Sequence, residues 1–243
     1  MRIGYNEELR MIKDEILLMS AMTEKMLSDS VDALKSQDCE LARSVIDRDD
    51  LVDAKEIELQ LVVSQVIATQ GPVATDLRRL ASTYKIITNL ERIADLAVNI
   101  SKRVLELSEV VYMKRLVDIP RACELAEKLL KLAIAAFVHE DISRLREVVD
   151  MEDEIDALNV QIHHECLAYM MDNSKNIHQG SVFIFVGSYL ERIGDHATNI
   201  FETVFYIVTG DYIDFNDLDE ETIEQTLALQ KRIKAMELEK SAE

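Results

Sequence analysis

The sequence has few of the residues that interrupt helices. It contains no tryptophan, two prolines and six glycines in 243 residues, and aromatic side chains make up only 5% of it. Leu, Ile, Ala, Glu and Lys are abundant instead, and this combination is typical of an all-helical protein. Hydrophobic residues account for 48% of the chain, which is enough to bury a sizeable core. The composition therefore predicts an all-α fold, in one large domain or two small ones.

Basic side chains are also scarce. Lys and Arg number 27 against 46 Asp and Glu, so the net charge is −19. Because nucleic acids and anionic lipid headgroups attract basic surfaces, we expect neither nucleic-acid binding nor docking on a membrane. The charge suits the binding of cations or of a basic protein partner. A solvated acidic surface without any ligand explains the net charge equally well.

Signals for membrane insertion, disulfides and catalysis are missing. The chain begins without a signal-peptide pattern, and its most apolar run, residues 181–190, is too short to span a bilayer. Cys39, Cys123 and Cys166 lie far apart and form no CxxC, which predicts buried, reduced thiols. No glycine-rich phosphate loop, Ser/His/Asp arrangement or Cys/His pair is present. We therefore expect a cytoplasmic protein without a catalytic constellation of these kinds.

Apolar residues recur at helical spacing along most of the chain. The pattern predicts three long helices in the first half, at residues 6–36, 39–69 and about 75–107, with Asp38 as an N-cap and a turn at Gly71-Pro72. It predicts three more at residues 120–139, 141–171 and 176–208, with Pro120 near the start of the first and Gly210 ending the last. Long helices joined by short turns make antiparallel bundles. We therefore expect two tandem three-helix bundles.

The domain boundaries follow from this pattern. A junction at residues 110–119 separates the halves, so we expect a first repeat at 1–112 and a second at 113–210. Residues 211–243 form an acidic tail, in which residues 217–240 are predicted to form an amphipathic helix without a repeat partner. This helix would either pack on the bundles or offer a surface to a partner.

One polar motif occurs once in each half. Residues 90–100 read LERIADLAVNI and residues 190–200 read LERIGDHATNI, with eight of eleven positions identical. On a helix, the shared Leu, Ile and Ala lie on one side, while the Glu, Asp and Asn lie on the other. A common apolar pattern would not by itself place Glu, Asp and Asn identically. The simplest account is a duplicated protein whose halves carry the same polar site.

The preceding helix of each half carries a similar acidic stripe. An acid-x-x-x-Asp pair therefore occurs four times, as Asp49/Asp53, Glu91/Asp95, Glu152/Asp156 and Glu191/Asp195. Two carboxylates at i and i+4 lie about 5–6 Å apart and repel each other, unless a multivalent cation lies between them. If the second and third helices of a half face each other, their pairs converge into a cluster of four carboxylates. Hard oxygen ligands suit Mg²⁺, Mn²⁺, Ca²⁺ and iron.

These eight carboxylates are the candidate metal ligands, and weaker candidates are Asn99, Asn199, Asp50 and Asp153. One alternative is an acidic face without metal, in which Arg92 and Arg192 form ordinary ion pairs. Another is a carboxylate-bridged di-metal oxygenase or a metal store. That class needs Glu-x-x-His motifs in a four-helix core, and the repeated motif contains none.

The two LERI motifs resemble the duplicated signature of the PhoU family, the phosphate-uptake regulators. Three further segments also resemble that family: GPVATDLRRL at 71–80, MMDNSKNI at 170–177 and VFYIVTG at 204–210. The resemblance extends over about residues 6–210. One departure is that Asp76, Leu77 and Arg78 are matched in the second half by Asn176, Ile177 and His178, so the halves need not be equivalent.

The resemblance has implications for both fold and function. It implies two bundles related by a pseudo-twofold axis, and carboxylate clusters that hold iron, zinc, manganese or magnesium on the acidic pairs named above. It implies a homodimer without enzymatic activity. It also implies negative regulation of the Pst phosphate transporter and of phosphate-regulon signalling, through contacts with transporter subunits and the sensor histidine kinase PhoR.

Overall fold

The computed structural model describes residues 2–215, 218, 221–226, 228 and 230. All regular structure in these residues is helical. The helices are α1 (Arg2–Ser36), α2 (Cys39–Asp47), α3 (Asp49–Gln70), α4 (Thr75–Glu106), α5 (Asp118–His139), α6 (Leu145–Asp172) and α7 (Ile177–Thr209), with a 3-10 turn at Ser174–Asn176 before α7. Residues 221–226 are also helical, and the rest of the tail helix predicted at 217–240 lies largely outside the described residues.

The helices form two antiparallel bundles, as the sequence predicted. The first bundle contains α1, α4 and the pair α2–α3, and the second contains α5, α6 and α7. The helices α4 and α7 lie at the centre, because each contacts all the helices of its own bundle and they also contact each other. The helices α1 and α5 add a second contact between the bundles. The two copies of the repeated motif are therefore on the central pair of helices.

The apolar side of the repeated motif forms the middle of the core. The four shared apolar positions are fully buried in both copies: Leu90, Ile93, Ala97 and Ile100 in α4, and Leu190, Ile193, Ala197 and Ile200 in α7. Burying a Leu or Ile side chain contributes about 1.5–3 kcal/mol, so these positions fix the rotation of each helix. The opposite, acidic side of the motif is thereby directed away from the core.

The sequence predicted one continuous second helix at residues 39–69, and this prediction is wrong. The helix breaks at Arg48 into α2 and α3. The backbone N–H groups of Arg48 and Leu51 bond to carbonyls only three residues back, at 3.2 and 3.1 Å, so the chain tightens there. Arg48 Nη2 donates to Asp29 Oδ2 of α1 at 2.7 Å. Since Asp29 is 7% exposed, this contact ties the break to the interior of the bundle.

Several predicted helix ends are confirmed and others shift. Asp38 caps α2 by accepting from two backbone N–H groups, and Gly210 ends α7 with φ at +88°. The helix α5 starts two residues before Pro120, and α6 starts at Leu145 rather than residue 141.

The three cysteines are free; Cys123 and Cys166 are buried as predicted, but Cys39 is half-exposed. Among the helices of the described residues, none combines the length and hydrophobicity needed to span a bilayer.

The connector between the halves, residues 107–117, is held by both bundles. Tyr112 Oη donates to the carbonyl of Leu34 in α1 at 2.8 Å, and its ring packs edge-on against Phe183 of α7. Gln179 of α7 is 3% exposed, accepts from Met113 N and donates to the carbonyl of Val111 at 3.2 Å. The connector therefore joins the bundles through a buried side chain.

Replacing Gln179 by Leu should lower the free energy of unfolding by about 2–3 kcal/mol, because a backbone donor and a backbone acceptor of the connector lose their buried partner. Urea denaturation followed by circular dichroism measures this. The matched control is Gln65→Leu on the exposed surface of α3, which should change stability by less than about 0.5 kcal/mol. Equal effects of the two substitutions would contradict a holding role for Gln179.

Candidate metal centre

The four acidic pairs lie on the helices that the sequence predicted. Asp49/Asp53 begins α3, which packs against α4 and its Glu91/Asp95 pair. Glu152/Asp156 lies on α6, which packs against α7 and its Glu191/Asp195 pair. Each half therefore has one acidic pair on each of two neighbouring helices, outside the buried core.

The carboxylates of the first half are close enough to affect one another. Burial, together with the charges of Asp95, Glu56 and Asp53, raises the pKa of Glu91 to about 7 against the opposing charge of Arg92. Burial also raises the pKa of Asp49, together with the charges of Asp53 and Asp95. Contributions across the α3–α4 interface show that the two pairs face each other.

Glu56 is a fifth carboxylate of this group. It follows Asp53 on the same stripe of α3, and its Oε1 accepts from Thr88 Oγ1 of α4 at 3.0 Å. We call Asp49, Asp53, Glu56, Glu91 and Asp95 the first cluster. Glu56 was not among the candidate ligands, because it has no acidic partner four residues away and so forms no acid-x-x-x-Asp pair.

The second half repeats this arrangement. Burial, together with the charges of Asp156, Asp195 and Glu202, raises the pKa of Glu152 to about 7. Burial, together with the charge of Asp156, also raises the pKa of Asp195. Burial and the charges of Asp195 and Asp156 raise the pKa of Glu191. The pairs of α6 and α7 therefore face each other as well.

Glu202 joins this group from α7 and was not predicted. It lies seven residues after Asp195, which is two helical turns along the same face. Its Oε1 also accepts from the backbone N–H of Phe215, at 3.1 Å, so it contacts the start of the tail. We call Glu152, Asp156, Glu191, Asp195 and Glu202 the second cluster.

The two clusters are not equivalent. Glu202 corresponds to Lys102 in the repeat, and Lys102 lowers the pKa of Asp49 where Glu202 raises the pKa of Glu152. Glu56 corresponds to Asn159, which is uncharged. Each cluster thus has a fifth carboxylate, but at opposite ends. The sequence shows both exchanges once the two halves are aligned.

Arg92 and Arg192 place one positive charge beside each cluster. Arg92 forms ion pairs with Glu91 at 3.3 Å and Asp95 at 3.4 Å, and its side chain is 56% exposed. Such an exposed pair contributes at most about 1 kcal/mol. Arg192 lowers the pKa of Glu191 and of Asp195 through its charge. One arginine thus offsets part of the repulsion in each cluster but cannot neutralise five carboxylates.

The four weaker candidate metal ligands lie at the edge of the clusters or beside them. Asp50 and Asp153 are exposed, and their charges raise the pKa of Asp49 and Glu152 respectively. Asn99 is half-buried on α4. Asn199 lines a cavity of about 260 Å³ between α4 and α7, together with Lys85 and Glu202. These positions add charge at the rim of the clusters or lie beside them.

The donor set fits a hard cation in its chemistry. Asp49 Oδ1 is buried and has no hydrogen-bond partner among the described residues, which is costly for a carboxylate. Oxygen donors are the ligands that Mg²⁺ and Mn²⁺ prefer. Within the same residues, however, no group of three or more His, Cys, Asp or Glu side chains is already arranged so that it could hold a metal ion. Binding therefore requires the side chains to turn from the positions described.

Close packing brings α6 against α7 beside the second cluster. A Cβ on Gly187 would lie 2.9 Å from Asn159 Oδ1, and one on Gly194 would lie 3.2 Å from Ile155 Cδ1. A side chain at either position would therefore press against α6, and glycine permits the close approach. The short distance between α6 and α7 lets carboxylates on the two helices face each other.

A profile of the PhoU domain matches residues 16–104 and again residues 119–204. The chain belongs to the PhoU domain family. The resemblance read from the repeated motif is thereby confirmed, and so is the two-bundle fold. The tail beyond residue 204 lies outside the PhoU match.

Individual PhoU proteins are similar over most of the chain. The PhoU homolog of Clostridium acetobutylicum, a phosphate-specific transport system accessory protein, is 35% identical over 214 residues, which are 88% of this chain and 98% of the relative. The homolog of Rhizobium meliloti, which has the same name, is 34% identical over 85% of this chain and 88% of its own length. The crystal structure of PhoU from Pseudomonas aeruginosa superposes with a TM-score of 0.81 at 31% identity, covering 85% of this chain and 100% of that one.

Proposed function

We propose that the protein is a metal-binding, cytoplasmic regulator of phosphate homeostasis. It represses Pst phosphate uptake and phosphate-regulon signalling through contacts with transporter subunits and a sensor histidine kinase, as a homodimer and without catalysis of its own. Two observations support this. Relatives of this length are named accessory proteins of phosphate transport, and both halves carry register-matched carboxylate clusters that their own folding does not explain.

The clusters can couple metal binding to the shape of the surface. Their carboxylates come from two helices of each bundle, so side chains that turn towards a shared ion would hold α3 to α4 and α6 to α7. A multivalent cation supplies the positive charge that offsets their repulsion. Without it, the raised pKa values of Glu91 and Glu152 reflect first their burial and then the neighbouring negative charges. Each bundle is thus expected to be more rigid in the metal-bound protein.

Metal content tests the first part of this proposal. The protein is purified without added metal, dialysed against Mn²⁺ or Zn²⁺, and analysed by plasma mass spectrometry. We expect bound metal in the wild type, about half as much in Glu91→Ala/Asp95→Ala or Glu191→Ala/Asp195→Ala, and almost none when the two pairs are combined. If the wild type binds no metal, or if the four substitutions leave its content unchanged, the clusters are not metal sites.

The regulatory role needs a test in cells. A deletion strain should express phosphate-starvation genes, measured with a transcriptional reporter, even when phosphate is plentiful. Wild-type protein should restore repression, and the variant lacking both acidic pairs of α4 and α7 should not, although it accumulates to the same level. Normal repression in the deletion strain would refute the regulatory proposal and leave the metal result standing.

The alternative of a di-metal oxygenase or metal store is not favoured. Those proteins bind metal through Glu-x-x-His motifs on facing helices. None of the five histidines in the chain follows a glutamate by three residues. The clusters therefore offer carboxylates and amides where that chemistry needs histidine.

A further inference from the structure

A second polar cavity lies far from the carboxylates of α3 along α4. It has a volume of about 480 Å³ and forms where the start of α4 meets the ends of α5 and α7. Its lining includes Lys13, Arg78 and Arg79 against one carboxylate, Glu140. In a chain with a net charge of −19, a cavity with a cationic excess is unusual. An electropositive recess of this kind attracts anions.

Two of the three cations are already paired. Arg79 donates to Glu140 Oε2 through Nε at 3.1 Å and Nη2 at 2.7 Å, and to Asp76 Oδ1 through Nη1 at 3.3 Å. Lys13 donates to Glu140 Oε1 at 3.3 Å. These contacts lower the pKa of Glu140 although burial alone would raise it. Glu140 therefore occupies two of the cations as an internal anion.

The third cation is not paired. Among the described residues, the Arg78 side chain forms neither an ion pair nor a hydrogen bond, and its Nε is buried without an acceptor. The guanidinium lies 5.7 Å from the centre of the Tyr206 ring, and it fills the space that a Cβ on Gly210 would need. Packing therefore holds the guanidinium in place, while its Nε–H has no acceptor among the described residues. A buried guanidinium N–H without an acceptor is costly, so an anion there would be stabilised.

The backbone adds further positive potential. The helix α4 has 32 residues and begins at Thr75, which also lines the cavity. Its N-cap, Ala74, has φ of +51° and supplies no side-chain oxygen to the first turn. The N-terminal end of a helix carries a partial positive charge and unpaired N–H groups, which favour anions. Three features, the unpaired arginine, the cationic excess and the uncapped helix, thus coincide.

One residue of the tail also lines this cavity. Gln230 lines the cavity, is 2% exposed and donates to Asp141 Oδ1 at 2.6 Å. Residues of the tail that precede it, Phe215, Ile223 and Thr226, are also buried. Gln230 therefore borders the cavity, whose volume of about 480 Å³ leaves room for a small ion.

We propose that this cavity binds a small tetrahedral oxyanion, such as inorganic phosphate. Arg78 supplies the unpaired guanidinium donors, the first turn of α4 supplies backbone N–H groups, and Lys13 and Arg79 add charge that Glu140 partly cancels. The site includes none of the carboxylates of either cluster. It is therefore independent of metal binding and adds an anion ligand to the proposed regulatory function.

Isothermal titration calorimetry of the full chain with inorganic phosphate tests the proposal. The buffer contains EDTA and has a constant ionic strength set with chloride, so neither bound metal nor bulk screening contributes. We expect one phosphate per chain, an affinity at least tenfold weaker in Arg78→Gln, and competition by sulfate. In Glu140→Gln, Lys13 and Arg79 lose their internal anion, so phosphate should bind several-fold more tightly.

The controls separate this site from general electrostatics and from misfolding. Arg103→Gln removes the same charge from α4 about seven turns further along, at another arginine whose Nε is buried without a partner, and should leave the affinity within twofold. The tighter binding of Glu140→Gln cannot come from unfolding. Absence of binding by the wild type, equal losses in both arginine variants, or tighter binding of a phosphoserine peptide than of phosphate would each overturn the proposal.

Discussion

Saturating the metal-free protein with Mn²⁺ should raise its melting temperature by about 10 °C. A ligand at roughly a thousand times its Kd stabilises the native state by about 4 kcal/mol. For a chain of this size each kcal/mol shifts the melting temperature by about 2–4 °C. Differential scanning calorimetry before and after treatment with EDTA measures the shift. The same midpoint in both conditions would contradict the proposed metal binding.

Removing charge from one cluster should raise the melting temperature of the metal-free protein and lower that of the Mn²⁺-bound protein. In Glu91→Gln/Asp95→Asn, the metal-free protein should melt about 1–3 °C higher than the wild type, because repulsion of several tenths of a kcal/mol between neighbouring carboxylates disappears. With Mn²⁺ the same variant should melt several degrees lower than the wild type, because one cluster has lost its ligands. A purely structural role for these residues predicts the same direction in both conditions.

A matched acidic pair serves as the control. Asp150 and Glu154 are also four residues apart, and Glu154 pairs with Arg121 of α5 rather than facing α7. Asp150→Asn/Glu154→Gln removes the same number of charges from the chain. Its shift on addition of Mn²⁺ should equal that of the wild type. A reduced shift would mean that overall charge, and not the clusters, determines the stabilisation.

The period of the apolar residues was sufficient to predict the core and the faces of the central helices. Leu90 and Leu190, with their neighbours at i+3 and i+7, are fully buried, and this rotation leaves the Glu and Asp of the motif on the other side. Local chemistry also predicted Asp38 as a cap and Gly210 as an end. Such features depend on residues close in sequence, so a single chain reveals them.

Features that depend on contacts between distant residues were missed. The break at Arg48 is held by Asp29, nineteen residues earlier on another helix. Glu56 and Glu202 join the clusters only because helices pack in a particular register. The cationic cavity combines residues of α1, α4, α5, α7 and the tail, and Arg78 is notable there only because none of the described residues accepts from its Nε. Spacing along one helix contains no information about such partners.

The ion pair between Asp29 and Arg48, at the break between α2 and α3, should have the second large effect on stability. Asp29 accepts from Arg48 and from Lys25, each at 2.7 Å, and its side chain is 10% exposed. Asp29→Asn should cost about 2 kcal/mol, or about 4–8 °C in melting temperature, which is less than for a fully buried pair because both cations reach solvent. Asp32→Asn, one turn later and paired with Lys35 at 3.6 Å on the surface, should cost under about 0.5 kcal/mol.

The cost of Asp29→Asn should depend on pH in a defined direction. Burial by itself raises the pKa of Asp29, but hydrogen bonds from Lys25 and Arg48 outweigh it and lower the pKa below its ordinary value of 3.8. The carboxylate therefore stabilises the fold above about pH 4, and this contribution disappears as the pH falls through the lowered pKa. Urea denaturation should show the full difference between the two proteins at pH 7 and little difference near pH 2. A difference that persists at low pH would mean that the amide disturbs packing instead.

The same substitution should weaken metal binding at one cluster only. Arg48 directly precedes Asp49, so the ion pair with Asp29 fixes where α3 starts and how Asp49 faces Asp95. The second cluster has no such break, because α6 is continuous through Glu152. In a background of Glu191→Gln/Asp195→Asn, Asp29→Asn should weaken Mn²⁺ binding about tenfold, whereas in a background of Glu91→Gln/Asp95→Asn it should change the affinity by less than twofold. Titration calorimetry on the two pairs of variants at pH 7 measures both, and equal losses would show that Asp29 acts on stability alone.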